Sequence, residues 1–219
     1  FRCTPATLSF GGHEPALRRN DRDRIDALAL PMVRRPTGGR AVWHADELTY
    51  AVAAPIATFG TLAETYHASH SVIADALRGL GAPVSLARKP IDPPALEDGA
   101  CFAVPVGGEI IARGGKVVGS AQLRRGDAFL QHGSILLSGS QATVNDVTRG
   151  AAPDGADLSL AALLDRPVGA DEVASAVARA ARDGWIGEWE TSGPVAERVA
   201  RRAEAHVARF RSEEWTWRR

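Results

Sequence analysis

The chain has 219 residues, 45% of them hydrophobic and 24% charged, which is the composition of a soluble globular protein with one substantial core and too little length for two ordinary domains. Its 26 basic residues are matched by 26 acidic ones, so nothing global suggests nucleic acid, and electrostatic recognition has to come from local clustering. No apolar run approaches the roughly 18 residues of a membrane span and the opening FRCTPATLSF has no secretory core; a cytoplasmic location is expected.

In chain order, short β-type runs occur at 7–10, 32–35 and 48–53. A helix is expected over 64–80, where Tyr66, Val72, Ile73, Ala76, Leu77 and Leu80 fall near helical spacing and Gly81 supplies the stop. Residues 89–99, KPIDPPALEDG, carry three prolines and no periodicity, and form a loop leading into Cys101. EIIARGGKVVGSAQLRRGDAFLQHGSILL then reads as a three-stranded meander with turns at Arg113-Gly114-Gly115 and Arg125-Gly126-Asp127. A linker over 148–157 precedes a change of character: 158–182 and 194–211 are helical, with Pro194 suited to a first helical position and Val195, Val199, Val207 and Phe210 on one face.

Chemistry-bearing residues fall in three places. RRPTGGRAVWH, at 34–44, sets Gly38 beside Gly39; adjacent glycines cost backbone entropy and suggest a close approach, although an ordinary glycine turn fits equally well. The segment matches neither phosphate-loop pattern. Cys101 follows a proline-rich loop, where a nucleophile or a small buried hydrophobe would both be at home; Cys3, beside the first strand, reads as packing. The two cysteines fit neither a disulfide framework nor a paired zinc site, so no metal is expected. Of the 26 basic residues only Lys89 and Lys116 are lysine, leaving 24 arginines, and Lys116 in its glycine-rich hairpin is expected to bury little. GKVVGSAQ and QHGSILL lie on adjacent strands, which brings Gly119, Ser120 and Gln122 near His132 and Gly133 as a floor of small residues with polar edges.

RRPTGGRAVWHADELTYAVAAP, GKVVGSAQLRRGDAFLQHGSILL and the closing SEEWTWRR resemble the lipoate protein ligase and octanoyltransferase family. The resemblance covers nearly the whole chain. It implies the α+β fold shared with biotin protein ligases: a mixed, largely antiparallel sheet flanked by helices, with a catalytic core over 1–150 and a helical extension of the same domain over 151–219. Family members usually begin with an additional strand and helix that wall the acyl pocket, and this chain starts after that point.

GACFAVPVGGEIIARGGKVVGSAQ looks most like the cysteine-dependent octanoyltransferases of Gram-positive type, which places Cys101 as nucleophile and Lys116 beside it as the group that lowers the thiol pKa and steadies the oxyanion. The resemblance assigns the acyl pocket to Arg35, Gly38, Gly39, Arg40, Ala41, His44, Gly119, Ser120, Ala121, Gln122, His132 and Gly133. It implies octanoyl-acyl carrier protein as donor, lipoyl domains of 2-oxoacid dehydrogenases or the glycine cleavage H protein as acceptors, no cofactor, and a monomer. Arg34, Arg35, Arg40, Arg113, Arg124 and Arg125 on the motif loops would form a basic rim for acidic partners. An ATP-dependent lipoate ligase, an octanoyl amidotransferase acting between lipoyl domains, and a non-catalytic acyl-binding scaffold are the alternatives.

Overall fold

The computed structural model describes residues 1–87, 108–150, 158–190 and 193–218. The chain runs β1 (Thr7–Phe10), α1 (Ala16–Arg19), α2 (Arg22–Ala27), β2 (Met32–Arg34), β3 (Val42–His44), β4 (Glu47–Pro55), a 3-10 turn at Ile56–Thr58, α3 (Leu62–Gly79), β5 (Ser85–Leu86), β6 (Ile110–Ala112), β7 (Gly115–Arg125), β8 (Ala128–Leu136), α4 (Ala142–Val147), α5 (Leu160–Leu164), α6 (Ala170–Gly184), α7 (Gly193–Arg211) and α8 (Glu213–Thr216). The expected meander is β6 to β8, with both turns where glycine allows them.

Two sheets result. The smaller has the order β2-β1-β3, with β1 parallel to β2 and antiparallel to β3; the larger, β4-β8-β7-β6-β5, is antiparallel at every pairing. As the central strand of the small sheet β1 is covered on both sides, so Leu8, Ser9 and Phe10 are all buried. In the large sheet, side chains alternate with period two and the two faces meet different neighbours.

Helix α3 starts with a capping box, in which the Thr61 hydroxyl accepts from the Glu64 amide and the Glu64 carboxylate accepts from the Thr61 amide. Its stop is Gly81 at φ +96°. Ile73, Ala74 and Leu77 of α3 bury against Val117, Val118, Ile110 and Ile135 of the large sheet and Leu160, Leu163 and Val173 of α5 and α6, each large side chain contributing about 1.5–3 kcal/mol. The helix expected over 158–182 is two helices, because Asp165 takes a left-handed φ of 52° and Pro167 follows it.

A second core under the small sheet joins Leu8, Phe10, Ile25, Val144, Val147 and Trp217. The C-terminal segment is fastened there by Arg34, whose guanidinium donates to the carbonyls of Gly11, Glu14, Thr216 and Arg218, and by the Trp215 indole, which donates to the Arg34 carbonyl at 2.8 Å. In α7, Val199 and Val207 stay in solvent at 61% and 38% exposure, while Phe210, at the end of the stripe expected there, packs edge-on against Trp215 with ring centroids 5.1 Å apart. No helix among them is long and apolar enough to cross a membrane.

Candidate active site

A cleft enclosing about 290 Å³, part of it open to solvent, lies between the small sheet and the outer face of β7 and β8. The register explains its lining. Gly119 opposes Ser134 and Ala121 opposes His132, so these four share the face turned from α3; Arg35, Val42 and His44 close the cleft from the small sheet, and Ser120 and Gly133 complete it. Of the residues expected from the sequence, Arg35, His44, Gly119, Ser120, Ala121, His132 and Gly133 line this cleft, while Gly38, Gly39, Arg40, Ala41, Lys116 and Gln122 do not. Thr37 and His132 are in side-chain contact, Oγ1 to Nε2, which ties the glycine loop to β8.

The glycine loop is held by the protein itself. Arg35 is 9% exposed and its guanidinium donates to the carbonyls of Ser9, Gly38 and Arg40 at 2.7–3.2 Å. Gly39 has φ +86°, a conformation other residues adopt only with strain, and its carbonyl sits where a Cβ at Gly11 would be. Gly38 differs: a Cβ there would meet nothing within 4 Å. With Arg34 and Arg35 both buried, the basic rim expected from the sequence loses two of its six members; Arg113, Arg124 and Arg125 remain exposed.

Lys116 is 2% exposed, against the expectation of a solvated hairpin residue, and its Nζ donates to Glu109 Oε1 at 2.5 Å. Its direction comes from a β-bulge. Lys116 pairs with Ile111 and Val118 with Ile110, so three residues of β7 face two of β6 and the alternation resets. Val117 and Val118 then both enter the core with Ile110 and Ala112, and Lys116 falls on the opposite face, the one that carries Gly119 and Ala121.

Behind the cleft floor, on the α3 side, runs a chain of hydrogen bonds with one consistent polarity. The Gln122 amide donates to Gln131 Oε1 and to Thr65 Oγ1, the Gln131 amide donates to the Tyr50 hydroxyl, and the Tyr50 and Ser120 oxygens are 2.6 Å apart. Tyr50 therefore donates to Ser120, Ser120 donates to His70 Nε2 at 2.7 Å, and His70 Nδ1 donates to the Gly108 carbonyl at 2.6 Å. Burial holds His70 neutral with a pKa lowered to about 4, helped by the nearby Lys116 charge, and burial raises Tyr50 to about 12. Gly133 is forced by this chain, since a Cβ would lie 2.5 Å from Ser120 Oγ and 2.7 Å from Tyr50 Cε1. Sequence reasoning missed His70; its signal is its place on the stripe Tyr66, Ile73 and Leu77.

Two cleft histidines differ. His132 is lowered to about 4, first by burial and then by Arg35, so it is neutral. His44 Nδ1 lies 2.5 Å from Glu47 Oε1 and 3.2 Å from Ser134 Oγ; a carboxylate there accepts, which puts a proton on Nδ1 and turns Nε2 away from Glu47. Cys3 has a thiol pKa pushed up by burial and then by Glu47, the reverse of what a nucleophile needs. Cys101 and the loop before it lie outside the described residues. What is described is the point where that segment leaves and re-enters the sheet: Ala87 and Gly108 are joined by a 2.8 Å main-chain hydrogen bond, beside Glu109 and Lys116.

The arrangement, two motif loops closing on a small-residue floor, has relatives. The chain is 34% identical to octanoyltransferase LipM of Exiguobacterium sibiricum, covering all of this chain and 86% of that protein, and 32% identical to octanoyltransferase LipM of Kyrpidia tusciae, covering 98% and 84%. Its fold is similar to that of lipoate-protein ligase A bound with ATP, with a TM-score of 0.74 at 22% identity over 97% of this chain and 82% of that one. It is similar also to the bipartite lipoate protein ligase of Thermoplasma acidophilum, with a TM-score of 0.70 at 20% identity over 97% and 80%. Residues 2–182 match the family model of the lipoyl protein ligase A/B catalytic domain, and the chain belongs to that family.

Proposed function

We propose that the protein is an octanoyltransferase of protein lipoylation, and that the acyl group passes through Cys101. The observation that carries this reading is the convergence of the two motif loops on one cleft, with Lys116 turned onto the face that forms its floor. Relatives named octanoyltransferase cover the chain from end to end. Cys101 precedes Gly108 by seven residues, a tether of at most about 25 Å to the point where the chain rejoins the sheet beside Glu109 and Lys116.

In the first half-reaction the Cys101 thiolate attacks the thioester carbonyl of octanoyl-acyl carrier protein. A new C–S bond forms between the acyl carbon and Cys101, the carrier sulfur leaves as a thiolate, and it takes up the proton lost by Cys101. In the second, a lysine amine of a lipoyl domain attacks the enzyme thioester, an amide forms, and Cys101 leaves with the proton taken from the amine. The thioester keeps the donor's activation, so ATP is not consumed. Lys116 supplies a fixed positive charge for the thiolate and the developing oxyanion. His44, oriented by Glu47, offers Nε2 to the amine proton.

Mixing the protein with octanoylated carrier protein and measuring intact mass tests this. A stable octanoyl adduct is expected on the parent and on Cys3→Ser, and none on Cys101→Ala. Transfer to a lipoyl domain by Cys101→Ala at the parent rate would overturn the route through Cys101, and modification that requires ATP and free acid would move the protein to the ligases.

A further inference from the structure

We infer that Cys3, His44 and Glu47 form a binding site for a divalent cation of the zinc class. The three side chains come from separate stretches: Cys3 from the segment before β1, His44 from the end of β3, and Glu47 from the start of β4. One ligand atom from each lies within 4.8 Å of the other two. Thiolate, imidazole and carboxylate together are a donor set that zinc takes in tetrahedral sites. With bonds of about 2.0–2.3 Å the donors would sit roughly 3.3–3.8 Å apart, so closing on an ion asks for movement of about an ångström.

A second observation points to a ligand. Glu47 is completely buried, its Oε1 accepts from Thr49 and lies against His44, yet its Oε2 has no hydrogen-bond partner among the described residues. A buried carboxylate oxygen left bare is unfavourable because its desolvation goes uncompensated, and an ion bound by the carboxylate would satisfy it. The site is also built to hold Cys3 in place. The Phe1 nitrogen donates to the Thr49 carbonyl and the Thr49 amide donates to the Phe1 carbonyl, both at 2.8 Å, while Arg2 pairs with Asp46 at 3.1 Å. The segment carrying Cys3 is thereby laid along the start of β4.

Binding would send the Cys3 thiol proton to solvent and move the His44 proton from Nδ1 to Nε2, so that two bonds to the ion replace the His44–Glu47 hydrogen bond, one position is left for water, and His44 Nε2 is a donor while the ion is bound. Because His44 also lines the cleft, occupancy would fix the cleft wall from behind. The site does not depend on the acyl-transfer reading.

The test uses cobalt(II) as the probe in the Cys101→Ser protein, where Cys3 is the single remaining thiol of the two in the chain. The expected result is a sulfur-to-cobalt charge-transfer band with the visible bands of tetrahedral cobalt, abolished by zinc and lost on further Cys3→Ser substitution. Zinc affinity should fall at least about tenfold in Glu47→Gln. Cys3→Ser decides the matter even where Glu47→Gln folds poorly, since Cys3 is only partly buried. Absence of the thiolate band in Cys101→Ser, or its survival after Cys3→Ser, overturns the site.

Discussion

The two faces of β7 and β8 are made by the same strands and differ in everything else. Toward α3, Val118, Ile135, Ser120, Gln122 and Gln131 are packed or hydrogen-bonded with each polar group answered by a neighbour. Toward the small sheet, Gly119 and Ala121 leave the cleft, and the polar groups around it, His132, Ser134, Thr37 and His44, come from three separate stretches of chain. The first face fixes the shape of the second: Ser120, tied to His70 and Tyr50, cannot shift without moving the strand whose backbone is the floor. A cleft of small residues stays open when the side behind it is fully satisfied.

The hardest way to break this division is to remove Lys116, the charge that the bulge carries across to the cleft face. Lys116 and Glu109 are 2% and 3% exposed, and taking one partner away leaves the other charge buried. Lys116→Ala should lower stability by about 3–5 kcal/mol, measured by urea denaturation. Adding Glu109→Gln should restore a large part of the loss. An alanine variant as stable as the parent would return Lys116 to the solvent-facing role that its hairpin suggests.

Acid strains the α3 face next. His70 has its pKa lowered from 6.5 to about 4, so between those values the unfolded chain binds a proton that the folded one refuses. Stability therefore rises with pH through this window, is fully present above pH 6.5, and is lost as pH falls toward 4, by up to about 3 kcal/mol from this group. His132, lowered to about 4 as well, acts with the same sign on the cleft face. Thermal melting between pH 7 and 4 should show the decline, and His70→Gln, which keeps a donor and an acceptor, should reduce its slope. An unchanged slope in that variant would remove His70 from the chain.

How much of this was legible depends on where the period survives. The meander was readable from its two glycine turns, and α3 because its helical stripe runs through Ile73 and Leu77. The bulge was not: nothing in GGKVV says that two valines share a face, and the direction of Lys116 follows only from that slip. β3 has three residues, too few for a period to declare itself. The break between α5 and α6 had a signal in Asp165-Arg166-Pro167, outweighed by the alanines around it. His70 and Glu47 were hidden for a common reason, since a polar residue on an apolar stripe shows its purpose only when its partners, remote in sequence, arrive. The motif loops were readable as a unit through their resemblance, while their meeting at Thr37 and His132 belongs to the tertiary structure.

Gly133→Ala tests the coupling between the faces directly. Its added methyl would press on Ser120 Oγ, Tyr50 and the Gly119 carbonyl, and relief requires breaking the Ser120 bond or bending β7. A loss of about 1–3 kcal/mol is expected, with octanoyl-adduct formation reduced further than stability alone explains, since the strand that yields is the cleft floor. Equal losses in stability and in adduct at saturating donor would separate the two faces.

The smallest effects sharpen the cleft side by splitting the two adjacent glycines. Gly39 is fixed by its backbone: at φ +86° an alanine is strained by about 1–2 kcal/mol, and Gly39→Ala should lose that much stability. Gly38 has no positive φ, and a methyl added there would meet no described atom within 4 Å, so Gly38→Ala should fold within about 0.5 kcal/mol of the parent. If the space beside Gly38 is where donor acyl chain or carbonyl passes, the same variant should slow adduct formation several-fold while leaving stability alone. A Gly38→Ala protein with parental stability and parental adduct rate would show that the space is ordinary solvent and that the pair of glycines serves the turn alone, whereas a rate defect without a stability defect separates a glycine kept for a ligand from one kept for the chain.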